Sequence, residues 1–253
     1  MGKEVFAILG DIHGNLEAFQ TVLAKTRELE VTQYVCIGDI VGYNANPKEC
    51  LDMLRELKPL GVVRGNHDEY VGNERDLLGF NPAAALAVKW TRDQLTKDDR
   101  RWLAELPYEK QIFRFGMAPF SIVHGTLDSP GMWGYIFNRL SAMASMQFQH
   151  NDVCFCGHTH MPMYFIKDAR DTTTCMYQDG EPVKIQPNCK YLFNVGSVGQ
   201  PRDGDPRAAF AIYRPDEATV ELFRLEYDLA TTQKKIRDAK LPDRLADRLA
   251  IGH

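Results

Sequence analysis

Short apolar runs alternate with segments of helical periodicity over residues 5–65. The runs VFAIL, YVCI and GVV are typical of buried strands, because each is short, contains β-branched residues and is followed by glycine and polar residues. Between these runs, residues 16–30 and 47–58 repeat apolar side chains at the spacing of one helix face. The order strand, helix, strand, helix, strand predicts parallel strands joined by right-handed crossovers.

The pattern becomes helical over residues 81–106 and then returns to short strands. We expect strands at about 108–115, in PFSIVHG and in DVCFCGHTH, and a helix over 138–148 between the last two. Several short strands separated by turn residues follow between Met161 and Leu225. These elements predict an α/β fold with two packed β-sheets flanked by helices, in one domain over residues 1–227. Residues 228–253 are expected to form a helical extension packed on that domain.

Composition narrows the functional classes. A hydrophobic fraction of 44% supports a full core, and a net charge of −4 disfavours a general nucleic-acid binder. No apolar run approaches the length of a membrane span, and strand-like sequence begins by Val5, which leaves no room for a secretion signal. We therefore expect a cytoplasmic protein with no membrane partner, whose six cysteines are mostly reduced thiols.

Polar side chains follow five of the predicted strands, beside or close to glycine. They are Asp11 and His13, then Asp39, then Asn66, His67 and Asp68, then His124, and finally His158 and His160. Ligand sites of parallel sheets lie beyond the carboxyl ends of the strands, and five of the seven histidines stand at such ends. Each motif alone could be a turn. Because buried polar groups cost free energy unless they are paired, their joint occurrence indicates one shared site.

The ordered motifs D-x-H, G-D, G-N-H-D, H-G and G-H-x-H resemble those of the calcineurin-like metallophosphoesterase family. They span Gly10 to His160, and the later segment NVGSVGQPRDGDPRAA is similar to the compact prokaryotic phosphodiesterase-like branch of that family. The resemblance implies the four-layer α/β/β/α fold, which makes residues 1–227 a metallophosphoesterase domain. It also implies two metal ions about 3.5–4 Å apart.

Motif positions then imply the metal ligands. Asp11, His13 and His160 would hold the first ion, Asn66, His124 and His158 would hold the second, and Asp39 would bridge both. Mixed imidazole and carboxylate ligands suit Mn, Fe or Zn better than Ca or Mg. Two divalent ions and two aspartates leave the site with a charge of roughly +2, which favours an anionic substrate such as a phosphate ester.

The resemblance also implies a mechanism, in which the metals lower the pKa of a bridging water and the resulting hydroxide attacks phosphorus. We expect His67 to protonate the leaving group and Asp68 to orient the His67 ring and raise its pKa. Arg64 is expected either to clamp phosphate oxygens or to form a salt bridge at the strand edge, and Arg202 to select the substrate phosphate. Tyr43, Trp133 and Tyr135 are further candidates for substrate contact, although a core or lid role fits the last two equally well.

The leading prediction is a metal-dependent phosphodiesterase acting on small or nucleotide phosphate esters. A phosphoprotein phosphatase and a dinucleoside polyphosphate hydrolase remain alternatives, because the RGNHD motif at residues 64–68 does not separate them. A nuclease is disfavoured by the acidic charge balance. A non-catalytic metal-binding scaffold is a remote alternative, since every ligand position is filled and His67 is present. The substrate, the native metals and the oligomeric state stay open.

Overall fold

The computed structural model describes residues 3–73, 75–78, 80–170, 173–177 and 181–253. Its strands and α-helices follow one another as β1 (Phe6–Leu9), α1 (Leu16–Glu28), β2 (Gln33–Cys36), α2 (Pro47–Glu56), β3 (Gly61–Val62), α3 (Asn66–Asn73), α4 (Pro82–Gln94), α5 (Lys97–Glu105), β4 (Glu109–Ile112), β5 (Phe120–Val123), α6 (Arg139–Met146), β6 (Val153–Cys156), β7 (Met163–Lys167), β8 (Thr173–Tyr177), β9 (Val183–Lys184), β10 (Lys190–Asn194), β11 (Ala208–Arg214), β12 (Thr219–Leu225), α7 (Leu229–Asp238) and α8 (Asp243–Asp247).

The strands form two mixed six-stranded sheets, in the orders β3-β2-β1-β11-β12-β9 and β4-β5-β6-β10-β7-β8. In the first sheet β1, β2 and β3 are parallel, as the alternation of strands and helices predicts. In the second sheet β5, β6 and β10 are parallel. The carboxyl ends of these parallel strands provide two sheet edges at which polar side chains can meet.

The two sheets pack face to face through aromatic side chains. Phe6 of β1 and Phe120 of β5 meet edge to face with ring centroids 5.3 Å apart, and Phe155 of β6 lies 5.6 Å from Phe120. Alternation along β1 sends Phe6 and Ile8 into this layer, whereas Ala7 and Leu9 face the helices on the outer side. Helix α6 covers the outer face of the second sheet. The predicted α/β/β/α sandwich is therefore confirmed.

The C-terminal helices pack on the same body. Ile236 of α7 and Leu245 of α8 are buried in one cluster with Tyr43 and with Ala84 and Ala87 of α4. This contact brings α8 close to the loop that follows β2. The proposed boundary at residue 227 stays a prediction.

Helix α3 is the main element that the sequence analysis missed. The third strand ends sooner than the pattern predicts, and Asn66, His67 and Asp68 lie in the first turn of α3 rather than in a loop. The helix packs closely on α5, where a Cβ added to Gly72 would lie 2.8 Å from the Ala104 backbone nitrogen. Within the described ranges, no helix combines the length and apolar character that a membrane span requires.

Candidate metal centre

Side chains from both sheets converge where β1, β2, β5 and β6 end. Two groups have potential ligand atoms within 4.8 Å of one another, namely Asp11, His13, Asp39 and His160, and Asp39, His124 and His158. Asp39 belongs to both groups. Its Oδ2 lies 3.5 Å from His13 Nε2 and 3.4 Å from His124 Nε2, which is where the sequence analysis expects a bridging ligand.

Backbone carbonyls fix the orientation of the four histidines in these two groups. The contacts are His13 Nδ1 to Val41 O at 3.0 Å, His124 Nδ1 to Ile37 O at 2.9 Å, His160 Nδ1 to Gln200 O at 2.6 Å and His158 Nε2 to Trp133 O at 3.0 Å. A carbonyl oxygen can only accept a hydrogen bond, so each of these nitrogens carries the ring proton. The second nitrogen of each neutral ring therefore presents a lone pair to the centre, as in metal-binding histidines held by outer hydrogen-bond partners.

The lone pairs face one another in two close pairs. His13 Nε2 lies 3.2 Å from His160 Nε2, and His124 Nε2 lies 3.1 Å from His158 Nδ1. Two opposed lone pairs at this distance repel, and a proton or a metal cation between them removes the repulsion. Burial lowers the pKa of His13, His158 and His160, which disfavours the proton. Between His13 and His160, a metal cation therefore removes the repulsion better than a proton does.

His124 differs from the other three histidines. Burial alone would lower its pKa, but the Asp39 carboxylate outweighs burial and raises it to about 9. Burial alone would raise the pKa of Asp39, but His124 opposes this effect, and the pKa of Asp39 lies well below its usual range. Asp39 is therefore ionised at neutral pH and available as a ligand.

Two oxygens of the centre are buried and have no hydrogen-bond partner among the described residues. They are Asp11 Oδ1 and Asn66 Oδ1, the latter on the first residue of α3. A buried acceptor without a hydrogen bond typically costs about 1–3 kcal/mol, and coordination to a cation removes that cost. Imidazole, carboxylate and amide donors without thiolate fit Mn, Fe or Zn. The residues present thus fit two metal ions that share Asp39.

Of the twelve non-glycine residues with positive φ in the described chain, five belong to this centre. Asp11, His13, Asp39, His158 and His160 have φ values of 51°, 50°, 51°, 66° and 60°, in the left-handed region. For residues other than glycine this conformation costs roughly 1–2 kcal/mol each. Such strain persists where surrounding contacts enforce it, and it is commonly found at functional sites.

Glycines beside the ligands allow the backbone to pack directly against them. A Cβ on Gly65 would lie 2.1 Å from Asp39 Oδ1, and a Cβ on Gly157 would lie 2.3 Å from Asp11 Oδ2. Any side chain at these two positions would displace a ligand carboxylate. In the fold, Asp39 and Asp11 thus each pack against a glycine from another strand end.

His67 lies beside the metal centre within an aromatic cluster. Its ring centroid is 4.3 Å from that of Tyr43 and 4.9 Å from that of His13, and its backbone nitrogen donates to Asp39 Oδ1 at 2.8 Å. The Nδ1 atom is buried and has no hydrogen-bond partner among the described residues. Burial lowers the pKa of His67 to about 4.

The structure corrects the expectation that Asp68 orients the His67 ring. Asp68 Oδ1 accepts the backbone N–H groups of Ile40 at 2.9 Å and Val41 at 3.3 Å, and Oδ2 accepts that of Gly65 at 3.0 Å. The carboxylate therefore fastens the turn that carries Asp39 to the start of α3. Burial and the charge of Asp39 raise the pKa of Asp68 to about 7, whereas the pKa of His67 is lowered rather than raised.

Arg64 stacks on an aromatic ring and, among the described residues, does not form the salt bridge that was one of the two expectations for it. Its guanidinium lies over the Tyr108 ring at 4.2 Å from the centroid, and its backbone nitrogen donates to Pro107 O at 2.8 Å. The Tyr108 ring centroid lies 5.6 Å from that of Trp133, and the Trp133 centroid lies 5.9 Å from that of His124. Arg64 has no salt bridge among the described residues, so the expected edge salt bridge is absent there. A role in phosphate binding stays a prediction.

Arg202 lies next to the centre, at one wall of a cavity. Its backbone nitrogen donates to His160 O at 3.3 Å, and Nη2 donates to Tyr43 Oη at 3.2 Å and to Gln200 Oε1 at 3.0 Å. The cavity has a volume of about 270 Å³ and is lined by Tyr43, Asn81, Ala83, Ala84, Tyr135, Arg202, Arg244, Leu245 and Arg248. We call it the arginine pocket. The sequence analysis missed Arg244 and Arg248, because no local motif links the C-terminal helices to the metal ligands.

Comparisons with known proteins identify a matching family model and several similar proteins. A family model described as the calcineurin-like phosphoesterase superfamily domain matches residues 5–218. The chain is 36% identical to a metallophosphoesterase from Sphaerobacter thermophilus, whose crystal structure matches with a TM-score of 0.86 over 100% of both chains. It is 35% identical to an uncharacterized protein of Methanocaldococcus jannaschii over 254 residues, covering 100% of each. A hypothetical protein from Pyrococcus horikoshii, 21% identical, shares the fold with a TM-score of 0.82 over 98% of each chain.

Proposed function

Because the chain belongs to the calcineurin-like phosphoesterase superfamily, we propose that it is a metal-dependent phosphoric ester hydrolase that prefers phosphodiesters of small molecules or nucleotides. The observation that carries this proposal is the pair of ligand groups joined by Asp39, in which carbonyl-bound histidines direct lone pairs toward one centre. A cytoplasmic location and small-molecule substrates stay predictions from the sequence.

The ligand roles follow from the two groups. Asp11, His13 and His160 would hold one ion, Asn66, His124 and His158 would hold the other, and Asp39 would be shared. When bound, the two ions supply Lewis acidity toward the phosphoryl oxygens and lower the pKa of the attacking water. The outer carbonyls keep the imidazoles in the required tautomers, and Asp68 keeps the Asp39 turn in place.

His67 is the proposed proton donor to the leaving oxygen. Its ring packs against the ligand His13, and its backbone nitrogen is tied to Asp39, so its position is fixed relative to the centre. The pKa of about 4 belongs to the chain without substrate. An anionic phosphate beside the ring would raise that pKa and favour the protonated form.

The surroundings of the centre favour a diester over a monoester. Tyr135 stacks on the ligand His158 with centroids 4.1 Å apart, and Phe137 stacks on Tyr135 at 5.2 Å. Both aromatic side chains are about half exposed, at 47% and 50%. They offer a flat apolar surface beside the metal ligands for a second organic substituent on phosphorus, which a monoester lacks.

The test is an assay of chain purified without chelator and loaded with Mn, Fe or Zn. We expect hydrolysis of bis-p-nitrophenyl phosphate at a higher kcat/KM than p-nitrophenyl phosphate, followed by activity on members of a nucleotide panel. Asp39→Asn, which removes the charge shared by both ligand groups, should abolish most of the activity. A clear preference for the monoester would refute the diesterase proposal. A folded sample that binds none of these metals would refute the proposal as a whole.

A further inference from the structure

Three arginines from distant parts of the chain line the arginine pocket. Arg202 lies in the loop after β10, Arg244 lies on α8, and Arg248 follows α8 directly. The C-terminal helices are held in this position by the buried contacts of Leu245 and Leu249 with Tyr43 and α4. The pocket is therefore a product of the fold, which brings the loop after β10 together with α8.

Arg202 and Arg244 have no carboxylate partner among the described residues, whereas Arg248 contacts the main-chain oxygen of His253, the last residue of the sequence. Arg202 donates to a phenol and an amide, and Arg248 Nε donates to the backbone oxygen of His253. Burial, together with the charges of Arg202 and Arg244, lowers the pKa of Arg248. The charges of Arg202 and Arg244 thus have no carboxylate counter-ion among the described residues.

This lack of pairing does not reflect a shortage of acidic residues nearby. Asp243 and Asp247 lie on the same helix as Arg244, yet both approach Arg237. In the loop after Arg202, Asp203 pairs with Arg224 and Asp205 with Arg207. These local carboxylates are satisfied by other arginines, which leaves the charges of Arg202 and Arg244 available to an external anion.

The pocket shares walls with the metal centre. The ring centroids of Tyr43 and His13 lie 4.6 Å apart. The guanidinium carbons of Arg202 and Arg248 lie 5.6 Å and 6.0 Å from the Tyr43 centroid. On the other side, Tyr135 lines the pocket and stacks on His158. A single molecule can therefore place one group at the metal ligands and another among the arginines.

We propose that the arginine pocket binds a second phosphate group of the substrate, next to the phosphodiester that is cleaved at the metal centre. This inference rests on the proposed function for the position of the scissile group. A terminal phosphate fits because it carries more negative charge than a carboxylate and offers three oxygens, which suit several guanidinium forks at once. The substrate class is then a diester that bears a further phosphate, as in a nucleoside bisphosphate derivative.

The first test measures binding by calorimetry on the metal-loaded full chain. The ligands are thymidine 5′-monophosphate and thymidine 3′,5′-bisphosphate, which differ by one phosphate. We expect the bisphosphate to bind about tenfold or more tightly than the monophosphate, as one or two charge-assisted contacts provide. Arg244→Gln should reduce this ratio severalfold, and the double variant with Arg248→Gln should bring it close to one.

Lys234→Gln is the matched control. Lys234 carries the same charge on neighbouring α7 but is exposed and pairs with Asp238, outside the pocket. It should keep the wild-type ratio. Arg244 makes no hydrogen bond or ion pair among the described residues, so Arg244→Gln alone decides the outcome if the double variant does not fold. Equal binding of both ligands to the wild type, or a ratio unchanged by Arg244→Gln, would overturn the proposal.

The second test separates this inference from the proposed function. The substrates are the p-nitrophenyl ester of thymidine 5′-phosphate and the same ester with a 3′-phosphate. We expect a lower KM for the 3′-phosphorylated ester, and we expect Arg244→Gln to remove most of that advantage. If neither ester is hydrolysed while the calorimetric ratio depends on the arginines, the proposed function fails and the pocket stands. If both esters are hydrolysed with equal KM, the pocket proposal fails and the function stands.

Discussion

His67 is joined to the metal centre by its backbone rather than by its ring. Its N–H donates to Asp39, while its ring packs on Tyr43 and His13. Removal of the imidazole therefore need not disturb the metal ligands, and the chemical role of the ring can be tested separately from metal binding.

We predict that His67→Ala keeps its metals but hydrolyses esters with poor leaving groups about 10²–10⁴-fold more slowly, the usual contribution of an acid catalyst. Esters with good leaving groups, which depart without a proton, should be affected much less. Metal content and kcat for a series of aryl and alkyl diesters provide the measurement. An equal loss for all leaving groups would argue against the acid role.

Asp68 has a different role from its neighbour, because its oxygens accept three backbone N–H groups from two segments of the chain. In Asp68→Asn one of these acceptors becomes an NH₂ donor facing an N–H group. We predict that the free energy of unfolding of the metal-free chain falls by about 1–3 kcal/mol, the cost of a buried unpaired polar group. Urea unfolding measures this loss. The dependence of rate on the leaving group should stay as in the wild type, and a change there would instead support a link to His67.

At the level of single residues, the sequence predicts which residues belong to the site better than it predicts which groups each of them contacts. Asp11, His13, His158 and His160 stand out because each pair is two residues apart at a strand end. The contacts of Asp68 could not be predicted, since Ile40 and Val41 meet it only after β2 and α3 are in place. Arg244 lacked any signal, as an exposed arginine on a helix is ordinary until the helix is docked.

Among the elements, the turns after the strands determine where the site residues point. Gly42 lies in the turn after β2 with a φ of +95°, and a Cβ there would lie 2.4 Å from His67 Nδ1. Gly116 has a similar φ of +88°, but a Cβ there would meet nothing within 4 Å. A substitution at either glycine strains the backbone, but only one at Gly42 would also displace His67. Comparison of the two variants therefore separates these two effects.

We predict that Gly42→Ala and Gly116→Ala both lower stability by roughly 1–2 kcal/mol, because alanine is strained at positive φ. Only Gly42→Ala should also lower kcat, by moving the His67 ring. Thermal unfolding and kcat for bis-p-nitrophenyl phosphate are the two measurements. Equal kcat values for the two variants would mean that the His67 position is not important for turnover.

Element prediction succeeded where apolar periodicity is strong and failed at the site. The helices α1 and α2 have regular apolar faces, and the structure contains both. Helix α3 begins with three polar site residues and contains Gly72, so its sequence carries little helical pattern. Its close packing on α5, which requires that glycine, is a tertiary effect that local propensity does not show.

At the scale of the whole molecule, the metal centre joins the two sheets. Asp11, His13 and Asp39 come from the first sheet, and His124, His158 and His160 come from the second. The aromatic layer between the sheets does not depend on metal, so the metal-free chain should still fold. Bound ions would add a link across that layer.

We predict that metal binding raises the melting temperature, because each ion present at 100 times its Kd adds about 2.7 kcal/mol of stability. For a chain of this size, each kcal/mol corresponds to a shift of roughly 2–4 °C. Scanning calorimetry with and without added Mn measures the shift. His124→Asn should reduce it, whereas His150→Asn, at an exposed histidine outside both ligand groups, should not. An unchanged melting temperature on metal addition would contradict metal binding at this centre.

The fold class could be predicted because two blocks of strands, separated by helices, leave few compact arrangements. The packing of the C-terminal helices beside Tyr43 could not, since an amphipathic tail shows which face is buried but not which partner covers it. The shape of the arginine pocket depends on that partner, and so does the proposed substrate class.

The carbonyl contacts of the four histidines also have a spectroscopic consequence. The nitrogen hydrogen-bonded to a carbonyl is Nδ1 in three of the rings and Nε2 in His158 alone. In nitrogen-15 NMR of histidine-labelled chain, these tautomers have distinct chemical shifts, and their buried N–H protons exchange slowly with solvent. His158 would therefore give a resonance that marks one half of the centre, so that filling of the two halves by paramagnetic or diamagnetic ions can be followed one at a time.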